Sequence, residues 1–174
     1  MQRIRDVIRQ TTTPSWLNSV PRNFGDAAAG TLKADVWRTM YTVYLPIALV
    51  SLWGEGTPHS SMAEATRLHH ILDHTMMLVS AVTLACKRTM TEARAAAYRA
   101  CVAMWVADSK VIHPETKHRP NHHMAHHIYD FLLLFGPVRS WWCFPFKCLI
   151  GQLQRMPMNH RFGELPDFYL SECL

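Results

Sequence analysis

From Leu32 to Leu52 the apolar residues Trp37, Met40, Tyr41, Tyr44, Leu45, Ala48, Leu49 and Leu52 recur three and four positions apart. The same period returns in later stretches. A chain patterned at 3.6 residues buries its apolar side by packing helix on helix. No run of alternating apolar and polar residues stands between turn signals, and no internal repeat is present, so strands are not expected. The chain has 174 residues, enough for one domain with a core. An all-α single domain of about five helices is expected, with an irregular N-terminal connector and a C-terminal tail.

Punctuation sets the boundaries. Residues 2–10 can form a short helix, and two prolines and two glycines in "TTTPSWLNSVPRNFGDAAAG" then mark a connector whose Trp16, Leu17, Val20 and Phe24 need burial. Pro46 has no N–H and crowds the carbonyl of Thr42, so the helix from Leu32 should bend or divide there. Ser61 to Glu64, "SMAE", has the form of a capping box and opens a helix running to about Lys87. Thr91 can cap the alanine-rich helix that follows, with Tyr98, Cys101, Val102 and Trp105 along one side. Asn121 is the expected N-cap of "HHMAHHIYDFLLLF", which Gly136 and Pro137 stop. Pro145 suits the first turn of a last helix, which Pro157 ends. The regions are thus residues 1–30, helix and connector, 31–157, helical domain, and 158–174, tail.

Several function classes are excluded by what the chain lacks. "MQRIRDVIRQTTTPSW" has no apolar core of the kind a secretory signal requires, and the longest apolar stretches fall short of the roughly twenty residues of a membrane span. Five cysteines with no C-x-x-C pair suggest neither a disulfide framework nor a zinc ribbon. Reduced thiols in a nuclear or cytoplasmic setting fit best. There is no glycine-rich phosphate loop, and Asp35, Asp73, Asp108, Asp130, Glu164 and Asp167 are scattered with no strand framework to converge them on metal ions. Cys143 and Cys148 lie near basic residues, but no base or orienter is identifiable for either. No catalytic residue is assigned.

Two constellations can bind. His122 and His126 stand four apart with Asp130 four beyond, so the three could share a helix face and hold zinc; His123 and His127 share the spacing, as do His70 and His74. The bland alternative is packed or capping histidines, and no other cofactor is expected. Residues 139–161 carry Arg139, Lys147, Arg155 and Arg161 with no Asp or Glu, a stretch able to meet DNA phosphates or to stand as an ordinary solvated surface.

"LKADVWR", residues 32–38, and "GPVRSWWCFPFK", residues 136–147, together with "PNHHMAHHIYDFLLLF" and a trailing "NHRFGEL", resemble the C-terminal helical region of transposase-like proteins of CACTA (En/Spm-type) mobile elements, in their fungal variant. The resemblance covers nearly the whole chain. It implies a region that follows an RNase H-like catalytic domain, that Met1 falls inside a longer reading frame, and that the chain is a fragment or a decayed copy. It also implies partners in the rest of a transposase or in a homo-oligomer, with DNA as an alternative and no membrane. The family's pattern continues after its aromatic run with a glutamate where this chain has Lys147. If that glutamate binds metal, Lys147 abolishes the function; otherwise the lysine stem covers the aromatic cluster. The motif residues Trp37, Gly136, Pro137, Trp141, Trp142, Phe144, Pro145 and Phe146 are given a packing role: a helix stop, a loop wedged on helices by its rings, and a helix start.

Overall fold

The computed structural model describes residues 1–17, 19–117 and 119–153, with the backbone alone at residues 144, 145, 147 and 148. Among the described residues every regular element is helical: α1 (Gln2–Gln10), α2 (Ala34–Thr39), α3 (Leu45–Trp53), α4 (Met62–Ala85), α5 (Glu92–Ile112), α6 (Pro120–Phe135) and α7 (Phe144–Leu153). Short 3₁₀ turns lie at Ala27–Ala29 and Val138–Ser140. The fold is all-α, as the spacing requires. The chain forms two compact units, Met1–Trp141 and Trp142–Leu174. The expected end of the last helix at Pro157, and the tail over residues 158–174, lie outside the described residues.

In the first unit, α1 is too short to persist alone in water. It is held by burying Val7 and Ile8 against Val20, Met40, Tyr44 and Ala48, at about 1.5–3 kcal/mol for each large side chain. Arg5 adds a tie, donating from Nε to the Phe24 carbonyl at 3.0 Å and pairing with Asp26. Val20 and Phe24 thus find cover, whereas Trp16, expected to bury, stands 79% exposed. Trp37 meets Phe24 edge to face at 5.8 Å and leans on Tyr41 at 5.8 Å, so the "LKADVWR" tryptophan fastens the connector to the helix.

The helix through this region does divide near Pro46. Residues Met40–Tyr44 form a π-helical turn between α2 and α3. Proline can give no N–H to the carbonyl of Thr42, and the wider turn takes up the misfit. Just upstream, Thr39 and Thr42 donate their hydroxyls to the carbonyls of Asp35 and Arg38, at 3.3 and 2.8 Å.

The long helices α4 and α5 lie antiparallel, joined by a short turn, and α6 packs on α5. Small residues let them approach: Ala81, Ala85 and Ala95 are buried together with Tyr98, Val102 and Leu132. Both expected caps form, with Ser61 Oγ accepting from Glu64 N at 3.2 Å and Thr91 Oγ1 from Arg94 N at 3.3 Å. The return half of the Ser61 box is diverted, because the Glu64 carboxylate takes the hydroxyl of Ser60 instead. At α6 the N-cap is Arg119, not Asn121. Pro120 occupies the first helical position, where its fixed φ suits the turn and its missing N–H costs nothing. Gly136, at φ +75°, ends the helix as expected.

Of the aromatic segment, Trp141 does wedge against a helix. Its ring meets Phe131 at 5.7 Å and its Nε1 donates to the Gly136 carbonyl at 3.1 Å. Phe146 lies in the second unit and is 65% exposed. The rings of Phe144 and Pro145 lie outside the described side chains, and Trp142 belongs to the second unit. In that unit Pro145 stands in the first turn of α7, along which Phe146, Leu149, Ile150 and Leu153 are each half or more exposed at helical spacing.

Candidate functional site

Two features of the first unit offer surfaces for chemistry or contact. Along α4 the heptad positions 74, 78, 81 and 85 fall on one helix face, and its alanines pack on α5. Midway along α4 the same face carries His74, which is 5% exposed. His74 stacks on Trp105 of α5 at 5.8 Å, and His122 of α6 meets the same indole edge-on at 5.1 Å. Tyr41 of the π turn, Thr75, Leu78, Ser109, His113 and Thr116 complete the walls of a cavity of about 210 Å³.

The hydrogen bonds in this cavity decide what it can do. His74 Nε2 lies 3.0 Å from the Trp105 carbonyl oxygen and 3.1 Å from Ser109 Oγ. The carbonyl offers only lone pairs, so the imidazole must donate there, and its proton sits on Nε2. Ser109 gives its own hydroxyl proton to the same carbonyl at 2.7 Å. A serine and a histidine in contact are the pairing a nucleophile and its base require. Here the nitrogen facing the serine is a donor, so it cannot accept the serine proton. Burial pushes the His74 pKa below its ordinary 6.5, and His113 and His70 add to this, against the Trp105 carbonyl and Asp108, which favour the charged form.

The three expected zinc ligands are not brought together. His122 turns to Trp105, and among the described residues no group of three His, Cys, Asp or Glu side chains gathers as metal ligands. What α6 does bring together is the neighbouring diagonal. His123 Nε2 and His127 Nε2 are 3.1 Å apart, and the Asp130 carboxylate lies 3.6 Å from His127 Nδ1. A spacing of four fixes which residues can pair, but the packing of Trp105 selects which pair is left outward.

The basic stretch is described only at its start. Arg139 Nε donates to the Cys86 carbonyl at 3.1 Å, where a cation suits the C-terminal end of the α4 dipole. The side chain of Lys147, and Arg155 and Arg161, lie outside the described residues. Cys86, Cys101 and Cys143 carry free thiols, and burial raises the pKa of Cys86, with Arg38 and Arg139 opposing. No helix among the described residues is long and apolar enough to cross a membrane.

The second feature is a bare apolar band on α6. Ala125, Ile128, Tyr129 and Leu132 face α5. Adjoining them around the helix, Met124, Phe131, Leu134 and Phe135 form a second stripe, 52, 36, 71 and 60% exposed. Phe131 touches both Phe135, at 6.1 Å, and Trp141, so the rings make a preformed surface. The run "FLLLF" signalled an apolar helix but not that α5 would cover only half of it. Compared with family models, curated proteins and solved structures, the chain matches none.

Proposed function

We propose that this chain is a non-catalytic helical interaction module that associates with a second copy of itself through α6. Its resemblance to CACTA transposase-like proteins supports a role in assembling mobile-element machinery. The bare stripe on α6 carries the reading. Four large apolar side chains exposed to this extent present roughly 400 Å² per copy, within the size range of functional patches on monomeric proteins. The four side chains carry no charge, His127 and Asp130 adjoin them on the helix, and Met124 and Phe135 stand near opposite ends of the stripe. A two-fold pairing of antiparallel α6 helices therefore sets Met124 of each copy against Phe135 of the other, a favourable sulfur–aromatic contact. About 800 Å² in total falls below the roughly 1,200–2,000 Å² of stable specific interfaces, so the pairing is of the weak, transient kind.

Sedimentation velocity from ~5 to ~500 µM tests this. The weight-average coefficient should rise with concentration and stay at the monomer value in Leu134→Glu. A wild-type coefficient independent of concentration would overturn the reading. The DNA-contacting alternative calls on Arg139, whose Nε already serves the end of α4.

A further inference from the structure

We propose that His123 and His127 form a chelating site for one divalent transition-metal ion, Zn²⁺ or Cu²⁺, on the outer face of α6. The two Nε2 atoms face each other at 3.1 Å, with the rings 79° apart. Two nitrogens on a metal at 2.0–2.1 Å are separated by about 2.9 Å at a right angle and about 3.3 Å at the tetrahedral angle. The observed gap lies between these values. The two nitrogens that now share a hydrogen bond are thus spaced to share an ion instead, once the rings turn so that both lone pairs converge on it.

Asp130 prepares one of the ligands. Its carboxylate beside His127 Nδ1 favours the proton on that nitrogen and leaves the Nε2 lone pair facing His123. His123 reaches the same state by shifting its proton from Nε2 to Nδ1, which frees its Nε2 lone pair for the ion. His127 and Asp130 are 48 and 58% exposed. Water therefore has access to the remaining coordination positions, which suits an exchangeable ion. The pair His122 and His126 has the same spacing but not the geometry, because His122 is engaged by Trp105.

The test uses the full chain, labelled with ¹⁵N, and ZnCl₂ or CuCl₂ in a buffer that does not chelate. One equivalent of Zn²⁺ should shift the imidazole resonances of His123 and His127 and leave those of His122 and His126 in place. His123→Ala and His127→Ala should each weaken binding at least tenfold, and Asp130→Asn about tenfold. In the apo protein Asp130→Asn should also move His127 toward the Nε2-protonated tautomer, a change in ¹⁵N shift that a merely structural role would not produce. Cu²⁺ should bind more tightly than Zn²⁺. His126→Ala should change nothing, and circular dichroism should be unaltered in these surface variants. Binding that survives both His123→Ala and His127→Ala, or no shift at ten equivalents of Zn²⁺, would overturn the assignment.

Discussion

Tyr98 separates the contribution of a ring from that of a single hydrogen bond. Its side chain is 4% exposed at the centre of the α4, α5 and α6 core, and its hydroxyl donates to the Ala125 carbonyl of α6 at 2.8 Å. Tyr98→Phe keeps the ring and removes the donor. The Ala125 carbonyl lies inside α6 and keeps its helical partner, so no acceptor is orphaned and the loss is that of a net hydrogen bond, about 1 kcal/mol. Tyr98→Ala adds a cavity between three helices, and large aromatic truncations in cores cost about 3–5 kcal/mol. Urea unfolding followed by circular dichroism should give a midpoint drop for Phe of about a third or less of that for Ala, with the slope unchanged between wild type and Phe. In thermal scans, Phe should lower Tm by about 2–4 °C. Equal losses for Phe and Ala would refute the division, and so would no loss for Phe. The raised Tyr98 pKa gives a second reading of the same site, since burial holds the phenol neutral in the folded chain. Above the unfolded value near 10 only the unfolded state sheds this proton, so stability falls as pH rises further.

His74 titrates in the opposite sense. Its folded pKa is depressed, so its contribution is present above 6.5 and is lost as pH falls below that value through the folded pKa; urea midpoints at pH 7.5 and 5.0 should differ, and His74→Gln should reduce the difference. Removing a cap by Ser61→Ala or Thr91→Ala should each cost about 1 kcal/mol, read as a shift in urea midpoint. Gly136→Ala forces a side chain into φ +75° and ψ −154°, a region open essentially to glycine alone, and should cost about 1–3 kcal/mol; unchanged stability would show that the α6 stop can relax.

How far the sequence can be read depends on how local the physics is. The caps at Ser61 and Thr91 and the stop at Gly136 are settled within one turn of chain, and they stand where the spacing placed them. Pro46 announced a division of its helix, but not that a π turn at Met40–Tyr44 would take up the misfit. Asn121 was a good cap by type and lost to the proline beside it, whose backbone preference acts one residue earlier. The histidine spacing was legible as a set of pairs. Which pair turns outward depends on Trp105, seventeen or more residues away on another helix, and nothing in the spacing carries that. The cavity around His74 is further from reach, because its walls come from the π turn, α4, α5 and α6 at once. A histidine on the α4 face that bears Leu78 and Ala81 was the one available sign. In the ring-rich segment near residue 141, composition shows that rings are present and not that Trp141 would meet Phe131.

Hydrogen–deuterium exchange of the chain at ~5 and ~500 µM measures the association at the helix assigned to it. Protection over residues 124–135 should rise with concentration, while that of the buried stretch around residues 95–102 of α5 stays constant. Protection of residues 124–135 that does not depend on concentration would contradict the account.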